Sequence, residues 1–151
     1  MKPFNIRVYG IWIHQNNILM SDERIGDFIF TKFPGGGLEF GEGTKDCIIR
    51  EWKEELGIDI NVKRHYYTTD FFQASAFHAN DQVISIYYLV EPISSVEIKT
   101  STTKNNFHFQ GQSEESFRWI SLSALDTNEV DLPIDKVVVE LLQKEFLSMT
   151  H

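Results

Sequence analysis

The segment from Pro34 to Gly57 constrains this chain more than any other. Pro34-Gly35-Gly36-Gly37 is the strongest chain breaker in the sequence, and Gly57 is a stop on the far side. Between them, residues 44–56 carry the periodicity of one amphipathic helix. Thr44 is the expected N-cap, and Asp46 sits in the first turn, where the helix dipole favours an acid. Ile48, Ile49, Trp52 and Leu56 fall within an arc of roughly 100°, the expected core stripe. Glu51, Glu54 and Glu55 stand at i, i+3 and i+4 and share another face, about 120° away. The helix therefore has one side for a core and one dense acidic side.

Strand-like runs surround this helix. Residues 6–14 are rich in β-branched and aromatic types, Gln15-Asn16-Asn17 is a turn signal, and Ile18-Leu19-Met20 begins a short return strand. Residues 21–27 are polar and loop-like, and 28–33 are strand-like again. Strands are expected over 60–72, over 82–91 as a central strand, and over 116–122, with 98–113 polar and irregular. Pro133 opens a terminal helix marked by Val137, Val138, Leu141, Leu142 and Phe146. This order predicts an α/β or α+β layered domain with a mixed sheet.

Composition narrows the class. A chain of 151 residues with 42% hydrophobic content supports one domain, 1–151, with a sizeable core. With 14 Lys and Arg against 22 Asp and Glu, the net charge is −8. That argues against a surface for nucleic acid polymers, which needs a basic face. The one cysteine, Cys47, excludes an internal disulfide framework and a Cys-rich zinc site. There is no apolar run of roughly 20 residues and no apolar signal core at the N-terminus. A soluble, cytoplasmic protein without membrane contact is the expectation.

Three carboxylates within one helical turn repel one another, and a hard divalent cation such as Mg²⁺ or Mn²⁺ would reverse that repulsion. An isolated E-x-x-E-E is ordinarily a solvated acidic face. Here a glycine-rich turn lies upstream, and Arg50 adjoins Glu51 where it can orient a carboxylate. The segment Gly36-x5-Glu42-x7-Arg50-Glu51-Trp52-x-Glu54-Glu55-x-Gly57-Ile58 resembles the signature of the Nudix hydrolases, G-x5-E-x7-R-E-U-x-E-E-x-G-U, where U is bulky and apolar. All seven fixed positions match over residues 36–58, a coincidence on the order of 10⁻⁸ per window. Trp52 departs from the usual aliphatic residue, which implies local repacking. Phe33-Pro34-Gly35 and Arg118-Trp119-Ile120-Ser121-Leu122 are weaker family-like flanks.

The resemblance implies a mixed β-sheet sandwiched between α-helices, with the signature as a loop–helix–loop. It implies hydrolysis of a pyrophosphate bond in a nucleoside diphosphate joined to another group. Glu51, Glu54 and Glu55 would ligate the Mg²⁺ or Mn²⁺, with the backbone carbonyl of Gly36 as a further ligand. Arg50 would orient the glutamates, and Glu42 would be a supporting charge. Part of the family uses another acid outside the signature, for which Glu114 and Glu115 are the candidates, ahead of Asp81 and Glu91. Family signals for ADP-ribose, dinucleoside polyphosphate, NADH and coenzyme A substrates are absent downstream, which weakens those assignments without selecting another; the shortness of the chain mildly favours nucleoside triphosphates or small nucleotide sugars. The alternative is a module of the same fold that senses a nucleotide without cleaving it, although every signature glutamate is retained.

Other residues carry weaker signals. Cys47 falls on the acidic side of the helix, where a small packing residue is expected. His14, His65, His78, His108 and His151 lack metal-ligand spacing. Tyr66, Tyr67, Phe71 and Phe72 could stack on a nucleobase, though at strand spacing half of them face a core anyway. Arg7, Arg24, Lys32 and Arg64 are candidate phosphate contacts. A homodimer is compatible with the size, but no sequence feature demonstrates it.

Overall fold

Alternating apolar and polar residues build two sheets, one in each of two compact units. A computed structural model describes residues 3–106 and 114–149. His108 and His151 lie outside the described residues, as do residues 107–113 of the irregular stretch before residue 114. The first unit takes in the chain up to Trp12 and Pro34–Ile98, and the second takes in Ile13–Phe33 and the chain from Lys99 onward. The architecture is mixed α+β, as expected, but the strands divide between two sheets and do not form one.

In the first unit, β1 (Phe4–Ile11) pairs in parallel with β7 (Gln82–Pro92), from Phe4↔Gln82 to Ile11↔Leu89. Two antiparallel edges complete the sheet: β5 (Gly35–Gly37) on β1 and β6 (Ile60–Thr68) on β7. β7 is therefore a central strand, as its apolar run predicts. Helix α1 (Thr44–Leu56) lies against β5, β1 and β6, on the face that carries Gly10, Gly36 and Tyr88. Ile48 and Trp52 are fully buried, and Cys47 is buried beside them. Ile49 is exposed and Leu56 half-buried, so the buried stripe is turned toward Cys47 relative to the expected one.

The caps of α1 also differ from expectation at one end. The N-cap is Gly43, whose N–H donates to the Asp46 carboxylate at 3.3 Å. Thr44, expected in that role, pairs its hydroxyl with the Tyr88 hydroxyl at 2.6 Å, tying the first turn to β7. At the other end Gly57 adopts φ 69°, the left-handed conformation that lets its N–H reach the Lys53 carbonyl.

The second unit holds β2 (Ile13–His14), β3 (Asn17–Ile25), β4 (Phe28–Lys32) and β8 (Glu115–Ser121), all antiparallel around β3. A 3-10 turn (Thr127–Glu129) precedes α2 (Pro133–Met149). The polar run 21–27, expected to be a loop, continues β3 as far as Ile25. It stays in a strand because its polar side chains find partners there. Asp22 accepts from Arg118 Nε at 2.7 Å and from the Thr31 hydroxyl at 2.6 Å, and Ser21 donates to Glu115 at 2.8 Å.

Two other boundaries move. The strand expected over 6–14 breaks at Trp12, and Ile13 and His14 join the other sheet. The strand expected over 60–72 ends at Thr68, where the Thr69 side chain exchanges hydrogen bonds with the Ser85 backbone. Among the described residues, no helix is long and apolar enough to cross a membrane.

Candidate functional site

The signature segment folds as the glycine strand β5, a loop through Glu39 and Glu42, and α1. Its electrostatic centre is Arg50. The guanidinium grips Glu42 with two parallel bonds, Nε to Oε2 at 2.9 Å and Nη2 to Oε1 at 2.7 Å. One nitrogen, Nη1, donates to both Glu51 (2.9 Å) and Glu54 (3.2 Å) and lies 3.7 Å from Glu39. Nη2 also donates to the Gly37 carbonyl at 3.1 Å, so the same side chain ties the helix to β5.

These contacts shift the ionisable groups. The Arg50 bonds hold the Glu42 carboxyl down at about 2, helped by the Glu39 backbone N–H. The Arg50 guanidinium is pushed further up, chiefly by Glu42 and then by Glu51. Burial, followed by the Glu42 charge, pushes the Cys47 thiol up to about 12. Cys47 is thus a neutral thiol that lies 3.5 Å from the Gly37 carbonyl and packs the helix close to β5.

Gly36 explains how Glu51 is seated. A Cβ on Gly36 would come within 2.6 Å of both Glu51 carboxylate oxygens, so the carboxylate rests where only glycine leaves room. The ladder also fixes carbonyl directions. Gly10 N–H donates to the Pro34 carbonyl and Leu38 N–H to the Ile6 carbonyl, which makes 10/34 and 6/38 bonded pairs in the register Val8↔Gly36. By antiparallel alternation the Gly36 carbonyl points at Val8. The carbonyls of Gly35 and Gly37 point to the opposite edge, where Arg50 and Cys47 meet that of Gly37.

The three glutamates differ in surroundings. Glu51 is largely covered, with 13% of its side chain exposed, whereas Glu54 is 59% exposed. Glu55 is exposed. Among the described residues, no three His, Cys, Asp or Glu side chains stand close enough to hold a metal ion as placed. Glu51 and Glu54 do converge on a single positively charged atom, Arg50 Nη1.

The candidates outside the signature lie in the second unit, each with a partner there. Glu114 pairs with Arg24 at 3.3 Å and is exposed. Glu115 accepts from Ser21 and lies 3.9 Å from Lys32 Nζ. Lys32 is buried, at 3.2 Å from Glu23. Arg7 lies over the Tyr9 ring and bonds its hydroxyl, and Arg64 lies over Tyr66. Each cation considered for phosphate thus has an intramolecular partner. Phe71 and Phe72 are exposed beyond the end of β6, while Tyr66 and Tyr67 are half-buried. Tyr67 donates to Asp70 at 2.9 Å, and burial followed by this carboxylate raises its pKa. Glu91 meets Lys63 at 3.7 Å on the surface. Sequence reasoning missed Glu39 and the Gly37 carbonyl as partners of Arg50. The i,i+4 rule finds only Glu54, because Glu39 and Glu42 reach Arg50 from the loop and the Gly37 carbonyl reaches it from β5.

Comparison with known proteins agrees with this geometry. A family model described as the NUDIX domain matches residues 4–142. The 8-oxo-dGTP diphosphatase of Escherichia coli (strain K12) is 32% identical over 95 residues, covering 60% of this chain and 68% of that protein. A MutT protein from Methanosarcina mazei Go1 superposes with a TM-score of 0.68 at 20% identity, covering 95% of this chain and 96% of that one. An ADP-ribose pyrophosphatase from Streptococcus suis 89-1591 superposes with a TM-score of 0.59 at 22% identity, over 91% and 86% of the two chains. The match to the family model spans most of the sequence and includes the whole signature, so this chain belongs to the Nudix family of pyrophosphohydrolases.

Proposed function

We propose that this protein hydrolyses the pyrophosphate bond of a nucleoside triphosphate or nucleotide sugar, using Mg²⁺ or Mn²⁺, with both units forming one Nudix domain. The family match runs through both units. The observation that carries the reading is the convergence of Glu51 and Glu54 on one cationic atom beside the glycine strand. A pocket of carboxylates that gathers a positive charge suits a hard divalent cation, since every donor there is oxygen.

Glu51, Glu54 and Glu55 would hold the cation. The backbone ligand is better placed on Gly35 than on Gly36, because the Gly36 carbonyl is directed at Val8. When bound, the cation neutralises phosphate charge and acidifies water. The chain's own residues do the rest. Arg50 holds Glu51 in place through a bond that Glu42 anchors from the other side. Glu54, the more exposed of the two, accepts the proton of the attacking water as the phosphorus–oxygen bond to the leaving group breaks. Glu114 and Glu115 remain secondary candidates for base or ligand, with their charges committed to Arg24 and to Ser21 and Lys32.

A substrate panel tests this reading. It includes ordinary and 8-oxo nucleoside triphosphates, nucleotide sugars and ADP-ribose, each with and without Mg²⁺ or Mn²⁺. Metal-dependent release of a nucleoside monophosphate is expected from at least one triphosphate or nucleotide sugar. Saturable binding with every ligand recovered intact would instead identify a sensor. Glu54→Gln is expected to lower turnover by at least about a hundredfold with the fold retained, and an undiminished rate would remove Glu54 from the mechanism.

A further inference from the structure

Trp52 stands where the signature ordinarily carries an aliphatic side chain, next to Glu51. It is fully buried, and its indole N–H donates to the Pro34 carbonyl at 3.2 Å. That carbonyl also accepts the Gly10 N–H at 2.8 Å. A Cβ on Gly10 would fall 2.7 to 2.9 Å from three indole atoms, so the ring occupies space that only glycine leaves on β1. Trp12 closes the other side, edge-on at 6.2 Å. The indole is therefore located by a hydrogen bond, a missing side chain and an aromatic neighbour. Pro34 leads directly into Gly35-Gly36-Gly37, against which the Glu51 carboxylate rests.

We propose that Trp52 is a positioning residue whose indole N–H, bonded to the Pro34 carbonyl, sets the register between α1 and the glycine strand and so places Glu51. An aliphatic residue could fill the space but has no donor, so this chain uses a tether that the usual signature cannot make. The inference rests on the proposed hydrolase reading, because its consequence is read at the carboxylates.

The test compares wild type, Trp52→Phe and Gly10→Ala. Mn²⁺ affinity is measured by electron paramagnetic resonance without substrate, and kcat and KM on a panel substrate. Circular dichroism monitors the fold. Trp52→Phe keeps a ring and loses the donor, so Mn²⁺ binding is expected to weaken by about tenfold. kcat should fall by a similar factor, with KM moving less than about twofold. Gly10→Ala, which displaces the indole without changing it, should shift the same quantities in the same direction. If Trp52→Phe fails to fold, Gly10→Ala carries the test. Wild-type Mn²⁺ affinity and kcat in the folded variants would overturn the inference and leave the hydrolase reading intact. A wild-type protein that neither binds Mn²⁺ nor turns over any substrate would overturn both.

Discussion

Arg50 organises the acidic helix by meeting Glu42 and Glu51 on opposite edges of one planar group. Three signature carboxylates crowd one side of α1, and the Arg50 guanidinium, bonded to Glu51 and Glu54, offsets part of their mutual repulsion. The consequence is measurable at Glu42, whose pKa falls from an ordinary 4.5 to about 2. A depressed carboxyl pKa means the folded state holds the charged form better than the unfolded chain does. The associated stability is complete above about pH 4.5 and is lost as pH falls through about 2. Carboxyl carbon shifts followed by NMR should show Glu42 still ionised at pH 3, and Arg50→Gln should return its midpoint toward the ordinary value. The contacts of Arg50 with Glu51 and Glu54 were legible because the signature spacing on a helix is rigid. The bidentate grip on Glu42 was not, since it depends on the path of a loop that no periodicity describes.

At the scale of elements, α1 was legible to the residue because breakers bound it on both sides. Its cap was misread because Thr44, a good capping type, finds a stronger use against Tyr88. The glycine strand β5 was hidden, since a run of glycines carries no strand propensity and is held here by what fits around it. That gives a direct test. Gly36→Ala puts a methyl group onto the Glu51 carboxylate, so either the helix or the side chain must shift. A displacement of about 1 Å at such a site can cost on the order of a hundredfold in rate. kcat/KM should fall by that order while circular dichroism stays native, and an unchanged rate would show that Glu51 need not rest on Gly36. The extended β3 was hidden for a different reason. The acid that makes residues 21–27 look like a loop is neutralised by Arg118, whose position along the chain gives no local warning.

At the scale of the whole molecule, the second unit sets a buried polar cluster beside its apolar core. Asp22, with no exposure, accepts from Arg118, from Thr31 and from the Asn105 N–H at 2.9 Å. Removing one partner of a buried ion pair costs about 3–5 kcal/mol, because the remaining charge is stranded. Arg118→Met should therefore lower the urea midpoint markedly, and Asp22→Asn added to it should recover part of the loss. A midpoint equal to wild type in Arg118→Met would show that the pair contributes little.

The chain passes between the units at Trp12, at Pro34 and again near Lys99, so the hairpin of β3 and β4 is an excursion made before the signature helix is reached. A protein shortened to end at Ile98 would keep the entire signature. It would also keep that hairpin, now carrying a buried acid, Asp22, without its Arg118 partner, and an edge of β3 without β8. Trimming this enzyme to its chemistry would thus expose an orphaned ribbon prone to pairing with its neighbours.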